Sequence, residues 1–99
     1  MIKGVNESEL KIIQNILNEY SCCYDFYFYG SRVKGNFDKT SDLDILIKGQ
    51  SKMPLDILEN LKKKFDESNL PYIVNFSDYF VLDSDFYKLI EPSLINYKD

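Results

Sequence analysis

The sequence contains no histidine and no tryptophan among its 99 residues, and it has only two cysteines. Without histidine, Ser-His-Asp and Cys-His catalytic arrangements and any His-ligated metal site are excluded. Catalysis by this chain must therefore use carboxylates, lysine, arginine, hydroxyl groups or a metal that is held by oxygen ligands.

The two cysteines are the adjacent pair Cys22 and Cys23. Neighbouring cysteines rarely form a relaxed disulfide, and no histidine is present to complete a zinc site with them. We therefore expect two buried or half-buried free thiols in a reducing compartment.

Long apolar runs and excess positive charge are also missing. No segment approaches the ~20 apolar residues that a membrane helix needs, and Met1-Ile2-Lys3 does not begin a signal-peptide pattern. We therefore expect a cytoplasmic protein without a membrane partner. The net charge of −4 argues against a broad nucleic-acid-binding surface.

The composition is that of one folded domain. Hydrophobic residues make up 44% of the chain and aromatic residues 15%, which is enough for a packed core. The length predicts a single domain over residues 1–99.

Hydrophobic periodicity predicts helices that alternate with strands. The helix near the N-terminus follows a capping-box pattern, Asn6 with Glu9. The predicted elements are helices over about 7–20, 54–68 and 84–91, strands over 25–29, 42–48 and 72–77, and a helical turn over 31–34. This order indicates the α/β (α+β) class, a small sheet with helices on one face and carboxylates on the other, whose strand order the sequence does not predict.

The second predicted strand has two unlike faces. Leu43, Ile45 and Ile47 lie on one side, and Asp42 and Asp44 lie on the other. Carboxylates at positions i and i+2 of a strand are roughly 6–7 Å apart and can bind a divalent cation together. Either this face is solvated or something cationic lies on it, because unpaired buried charge is costly.

Two further apolar groups lie outside the strands, one near the C-terminus and one on the 54–68 helix. Leu94, Ile95 and Tyr97 form an apolar tail after Pro92. The buried stripe of the 54–68 helix is expected to be Leu55, Leu58, Leu61 and Phe65.

A glycine turn precedes the acidic strand. The stretch from Tyr29 to Gly35 reads as a strand end, a turn at Gly30 and the start of a short helix. Glycine allows the backbone to come close to a ligand, and the N–H groups at a helix start can bind an anion.

These two stretches together resemble a known superfamily. Gly30-Ser31 followed by Asp42-x-Asp44 is similar to the nucleotidyltransferases with the DNA polymerase β-like fold. The fuller patterns, Gly-Ser-Arg-Val-Lys-Gly over 30–35 and Ser-Asp-Leu-Asp over 41–44, look more closely like the minimal nucleotidyltransferases (MNT). This resemblance implies the polymerase β-like fold, ATP or another nucleoside triphosphate as substrate, Mg²⁺ as cofactor, and a helical HEPN-type partner in a toxin–antitoxin pair.

The resemblance also implies roles for single residues. Asp42 and Asp44 would bind one or two Mg²⁺ and act in catalysis. For Arg32 and Lys34, neutralisation of phosphate charge and plain solubility of a short exposed helix are equally good readings. The residues expected to contact the nucleotide are Gly30, Ser31, Arg32, Lys34 and Ser41.

One position departs from the superfamily pattern. Members usually supply a third carboxylate from a later strand, and the matching residue here is Asn75. An amide carries no charge and is no useful base at pH 7, so this replacement lowers the expected activity. Asp78 could substitute only if a bulge turned it toward the site.

Two functions from different classes follow. The chain is either an enzyme that moves AMP from ATP to a hydroxyl of its partner, or a weakened copy that neutralises the partner by contact alone. The second reading would use the aromatic-rich surface and the apolar tail around Leu94, Ile95 and Tyr97. Template-directed polymerase or RNA-modifying work is disfavoured by the acidic charge.

Overall fold

The structure is a computed structural model that describes residues 2–99. Met1, which belongs to the segment considered as a signal peptide, lies outside them. Helices and strands alternate along the described chain. The elements are α1 (Glu7–Leu17), β1 (Tyr24–Tyr29), α2 (Ser31–Lys34), β2 (Leu43–Gly49), α3 (Leu55–Asp66), β3 (Val74–Asp78), α4 (Ser84–Ile90) and β4 (Ile95–Asn96).

The four strands form one mixed sheet in the order β3-β2-β1-β4. β1 is antiparallel to both β2 and β4, whereas β2 and β3 are parallel. The register places Asp44 opposite Tyr29 on one side and opposite Asn75 on the other. The expected class, a small mixed sheet with packed helices, is confirmed.

The first helix begins as predicted. The Asn6 side chain accepts a hydrogen bond from the Glu9 N–H (2.8 Å), and the Glu9 carboxylate accepts one from the Asn6 N–H (3.1 Å). This capping box satisfies backbone donors that a helix start leaves free. The helix ends at Leu17, and a 3₁₀ turn continues it over Asn18–Tyr20.

The main core lies where the alternation of β2 predicted it. Leu43, Ile45 and Ile47 are fully buried between the sheet and the helices α1 and α3. The buried residues that pack with them from the neighbouring elements are Phe26 and Phe28 of β1, Ile13 and Leu17 of α1, and Leu61 and Phe65 of α3.

The opposite face of the sheet is also partly covered, so the expectation that helices lie on one face only is wrong. Leu46 is fully buried there and packs with Tyr29 and with Ile90 of α4. The helices therefore occupy both faces, and α4 lies on the face that carries the carboxylates.

The predicted stripe of α3 is wrong at its first residue. Leu55 is 68% exposed, whereas Met53 is only 1% exposed. Met53 lies just before the helix, and its N–H donates to the Asp78 carboxylate (2.8 Å).

The apolar tail is part of the fold. Ile95 and Asn96 pair with β1 as an edge strand that the sequence did not predict. Tyr97 is 1% exposed, its ring packs edge-on against Phe26 (centroids 5.7 Å apart), and its hydroxyl donates to the Asn18 side chain (2.8 Å). The buried Tyr97 is therefore not available as a contact surface, contrary to the binding-only reading, whereas Leu94 and Ile95 are partly exposed.

The cysteines are not buried. Cys22 and Cys23 are both exposed, with their sulfur atoms 3.4 Å apart. They lie in the turn before β1, where the Cys23 N–H bonds the carbonyl of Tyr20 (3.2 Å), so the expectation of buried or half-buried thiols is wrong. Among the described residues, no helix has the length and apolar character that a membrane crossing requires.

Candidate active site

The turn between β1 and α2 requires its glycine. Gly30 has a φ of 89°, a region that disfavours L side chains, and it directly precedes the helix start. A Cβ atom at Gly30 would collide with the carboxylate of Asp44. The absence of a side chain at Gly30 thus gives Asp44 its place against the turn.

Three polar side chains meet beside this turn. The Asn75 side-chain amide donates to Asp42 (Nδ2 to Oδ2, 2.8 Å) and has a longer contact with Asp44 (Nδ2 to Oδ1, 3.4 Å). The parallel register of β2 and β3 accounts for this cluster, since Asp44 and Asn75 are direct cross-strand partners. The sequence-predicted trio is therefore brought together, while its chemical role stays a prediction.

The two carboxylates differ in environment. Partial burial raises the pKa of Asp44 from its ordinary value, the hydrogen bond from Asn75 opposes that rise, and the charge of Asp42 adds to it. The charged form of Asp44 is thus held at a cost, which a cation beside it would offset.

The donor set fits Mg²⁺. Magnesium prefers oxygen ligands and is usually held by one or two carboxylates together with substrate phosphates. Asp42 and Asp44 supply two such groups, and a half-turn of the Asn75 amide would present its oxygen as a weak third. Within residues 2–99 no group of three or more Asp, Glu, Cys or His side chains is placed to hold a metal.

The structure corrects the expectation for Arg32. Its side chain is 4% exposed. The guanidinium donates to the carbonyl oxygens of Gly4 (2.7 Å) and Ser41 (2.8 Å) and lies over the ring of Tyr72, 3.8 Å from the centroid. These contacts serve the fold, and a buried side chain does not fit the solubility reading, while nucleotide contact by Arg32 stays a prediction.

The other residues expected at the nucleotide lie on or near the turn. Ser31 is half-buried and Lys34 is exposed at the end of α2. The Ser41 hydroxyl accepts a bond from the Asp38 N–H (3.0 Å) and thereby closes the loop before β2. Nucleotide contact by these three residues stays a prediction.

Asp78 lies away from the trio. Its carboxylate accepts bonds from the backbone N–H groups of Met53 (2.8 Å) and Phe80 (2.9 Å). No bulge turns it toward Asp42 and Asp44, because the register with β2 continues through the Ile47–Asp78 pair. It does not replace the third carboxylate.

Two residues beside the trio were missed from the sequence. Tyr29 pairs with Asp44 across the sheet, and its hydroxyl lies 3.0 Å from that of Ser77. Burial raises the pKa of Tyr29, so the phenol keeps its proton and can act as a hydrogen-bond donor. Strand parity was the available signal, since it puts both residues on the carboxylate face.

Comparisons with known proteins agree with this geometry. Residues 11–92 match the family described as Polymerase beta, Nucleotidyltransferase. The chain is 40% identical over 88 residues to the probable protein adenylyltransferase MntA of Haemophilus influenzae, an alignment that covers 87% of this chain and 75% of that protein.

The fold has a counterpart among solved structures. A chain in the crystal structure of a toxin–antitoxin with AMP-PNP superposes with a TM-score of 0.73 at 18% identity, over 89% of this chain and 71% of the other. At that identity the likeness concerns the fold alone. Taken with the sequence matches, it leads to one assignment: the chain belongs to the polymerase beta nucleotidyltransferase family, and its resemblance to the minimal nucleotidyltransferases is confirmed.

Proposed function

We propose that this chain transfers AMP from ATP to a hydroxyl group of a partner protein in a Mg²⁺-dependent reaction, and that it is the antitoxin of a pair whose toxin is a helical HEPN-type protein. The observation that carries the proposal is the contact between Gly30 and Asp44, with Asp42 and Asn75 beside them. A backbone turn that can approach phosphates lies directly against carboxylates that can hold a cation.

Each part of the site has a physical role in this reaction. The Gly30 turn lets the triphosphate approach the backbone, where Ser31 can donate to its oxygens. Asp42 and Asp44 would hold Mg²⁺, which when bound offsets the charge that builds on the phosphate oxygens. The acceptor hydroxyl forms a bond to the α-phosphorus while the bond from that phosphorus to pyrophosphate breaks, and the proton of the hydroxyl passes to solvent, since Asn75 is no base. The exposed Lys34 can attract the charged substrate.

The relatives support the substrate and the acceptor. The Haemophilus influenzae protein is named as an adenylyltransferase that acts on protein, which favours AMP as the group transferred and a protein as the acceptor. The fold neighbour is a toxin–antitoxin with AMP-PNP, an ATP analogue, which favours ATP and a toxin partner.

Neutralisation by contact alone is the second candidate, and Asn75 favours it. The amide bridges the two carboxylates with its N–H groups, at a position where the superfamily usually has a third carboxylate. A loss of general-base help typically slows a reaction by ~10²–10⁴-fold, which would leave a protein that binds its partner and reacts slowly.

The test is transfer of label from ATP to the co-purified or co-expressed HEPN-type partner in the presence of Mg²⁺. Label on the partner should appear with the wild-type chain and disappear with Asp44→Ala. Asp25→Ala is a matched control, because Asp25 is an exposed acid on β1 at the opposite end of the sheet. Chelation of Mg²⁺ should abolish labelling as completely as Asp44→Ala does.

Protection of cells from the toxin separates the two candidates. If the double variant Asp42→Ala, Asp44→Ala binds the partner and still neutralises it fully, contact alone is sufficient and the enzymatic proposal fails. If that variant binds the partner without neutralising it, the binding-only alternative fails.

A further inference from the structure

Arg32 has the most demanding environment of any charged residue in the described chain. It is the only charged side chain that is buried among residues 2–99, at 4% exposure. No carboxylate pairs with it there, since the single ion pair of that range joins Lys64 to Glu19. A buried cation without a counter-ion requires other partners, because its desolvation is costly.

Those partners are backbone carbonyl groups. In addition to Gly4 and Ser41, the guanidinium approaches the carbonyl oxygens of Asp38 and Lys39, each at 3.4 Å. The planar, five-donor fork of arginine suits such a set, and a lysine cannot reproduce it. Arg32 thus ties the segment before α1 to the loop between α2 and β2.

The contact with Ser41 bears directly on Asp42. The carbonyl of Ser41 belongs to the peptide unit that joins Ser41 to Asp42, and Arg32 Nε holds it at 2.8 Å. The next peptide unit is also held, because the Leu43 N–H donates to the carbonyl of Ile73 (2.9 Å). With both flanking peptide units held, the direction of the Cα–Cβ bond of Asp42 is held as well.

The contact with the Tyr72 ring connects Arg32 to the segment on the other side of Asp42. The guanidinium lies over Tyr72, and Tyr72 directly precedes the Ile73 whose carbonyl receives the Leu43 N–H. Stacking of this kind suits arginine because its charge is delocalised over a planar group. Arg32 therefore contacts both segments between which Asp42 is held.

From this geometry we infer that Arg32 is a positioning residue that aims Asp42 at the Asn75 amide and at the cation site. It does so through the Ser41 carbonyl and the Tyr72 ring, without touching the nucleotide. The inference rests on the proposed function for its catalytic consequence, but the geometry it describes can be measured without any transfer reaction.

The packing around Arg32 explains a residue that the sequence did not single out. A Cβ atom at Gly4 would come within 2.7 Å of Arg32 Cγ and 2.8 Å of its Cα, and the Gly4 N–H donates to the Arg32 carbonyl (3.0 Å). Gly4→Ala should therefore displace Arg32 while leaving its charge in place.

The experiment follows the Asn75 side-chain amide by NMR in the full chain, since this group donates to Asp42. In Arg32→Met, the Asn75 signals should move toward those of Asp42→Ala, and the Ser41 amide should exchange about tenfold faster with solvent. Arg32→Lys should give an intermediate change. Lys39→Met removes a charge from the same loop but keeps its carbonyl, so its spectrum should match the wild type.

Kinetics with ATP and partner separate positioning from direct phosphate binding. Positioning predicts that Arg32→Lys lowers kcat about tenfold or more with little change in the KM for ATP, whereas a phosphate ligand would mainly raise KM. If Arg32→Met leaves the Asn75 signals and the Ser41 exchange unchanged, or if Lys39→Met moves them equally, the inference is overturned. If Arg32→Met does not fold, Arg32→Lys and Gly4→Ala provide the same NMR test.

The NMR outcome also separates this inference from the proposed function. A wild-type chain that transfers no label but shows the Arg32-dependent Asn75 signals would overturn the proposed reaction and support the positioning role. If the wild-type chain transfers label but its Asn75 signals do not change in Arg32→Met, the proposed reaction is supported and the positioning role is overturned.

Discussion

The sheet face that carries the carboxylates consists of two unlike halves. At one end Asp42, Asp44 and Asn75 meet beside the Gly30 turn, whereas at the other end Leu46 is fully buried under α4. Asp44 and Leu46 are two residues apart on one strand, which is about 7 Å. Within that distance the face changes from a cluster of polar side chains to a packed apolar interior.

The length of α4 accounts for the boundary. α4 has seven residues and is therefore about 10 Å long, whereas the seven residues of β2 extend over about 23 Å. A helix of this length covers only part of the strand, although Phe86 of α4 packs edge-on against Tyr29, the cross-strand partner of Asp44 (ring centroids 6.2 Å apart). The comparison teaches that one short helix separates a packed part of the face from a part that carries polar side chains.

The largest effect is expected from removal of Asp44, the acid closest to the Gly30 turn. Asp44→Ala should lower transfer of AMP by about 10³-fold or more, because a cation ligand is lost at the point where charge develops. The fold should survive, since Asp44 is charged at a cost in the free protein. Initial rates together with denaturant unfolding measure both effects, and a variant that keeps a tenth of the wild-type rate would contradict the assignment.

In the covered half of the face, the end at which Leu46 lies under α4, a substitution should lower stability and leave the transfer rate unchanged. Leu46→Ala should lower the free energy of unfolding by about 2–5 kcal/mol, because it leaves a cavity beneath α4. The rate per folded molecule should stay near that of the wild type. Leu89→Ala is the matched control, since Leu89 is 75% exposed on the same helix and its loss should cost at most about 0.5 kcal/mol. Equal destabilisation by both variants would mean that Leu46 does not hold α4 on the sheet.

The third prediction concerns the open half of the face, the end at which Asp42, Asp44 and Asn75 meet. Asn75→Asp should raise the transfer rate by about 10²-fold, because it restores a carboxylate beside Asp42 and Asp44. Three neighbouring carboxylates repel one another, so the same variant should unfold at a lower temperature without Mg²⁺ and gain more stability when Mg²⁺ is added. Asn36→Asp, in the exposed loop before β2, should change neither property. An unchanged rate in Asn75→Asp would show that Asn75 does not stand at the third-carboxylate position.

The open half was the part that the sequence predicted best, for a local reason. Strand parity depends only on neighbouring residues, so it placed Asp42 and Asp44 on one side of β2 and Asn75 on the matching side of β3. The Gly30 turn is equally local, because a positive φ is a property of one residue.

The covered half could not be predicted in the same way. Whether Leu46 is buried depends on where α4 packs, and that depends on strand order and on the edge strand β4, which has only two residues. The same holds for Tyr97 in the main core on the other face, which reads as part of an apolar tail until Phe26 and Asn18 are known to lie beside it. Non-local contacts of this kind leave no periodic signal in the sequence.

Arg32 is the clearest case of a residue whose environment its type did not indicate. A basic residue directly after Gly-Ser suggests a phosphate ligand, yet its partners come from Gly4, from the loop at 38–41 and from Tyr72. Gly4 and Tyr72 are 28 and 40 residues away from Arg32, and the residues at 38–41 lie in a loop, so no helix or strand period connects Arg32 to them. The contacts of Arg32 can be recognised only when the fold brings these three separate segments together.

The smallest expected effect concerns the charge of Asp44 and its dependence on pH. Burial raises the pKa of Asp44 above its ordinary value of 3.8, so the folded chain binds this proton more tightly than the unfolded chain does. The resulting stabilisation is fully present below about pH 3.8 and is lost as the pH rises through the folded-state pKa.

Asp44→Asn removes this titration, so its free energy of unfolding relative to the wild type should increase as the pH rises through that window. Solvent reaches the half-buried group, and the change should therefore be smaller than the effects predicted above. Addition of Mg²⁺ near neutral pH should reverse the difference, because a bound cation favours the charged carboxylate. Asp25→Asn, at the far end of the sheet, should lack this Mg²⁺ response. If Mg²⁺ stabilises Asp44→Asn as much as the wild type, the cation is held elsewhere and the open half of the face has another use.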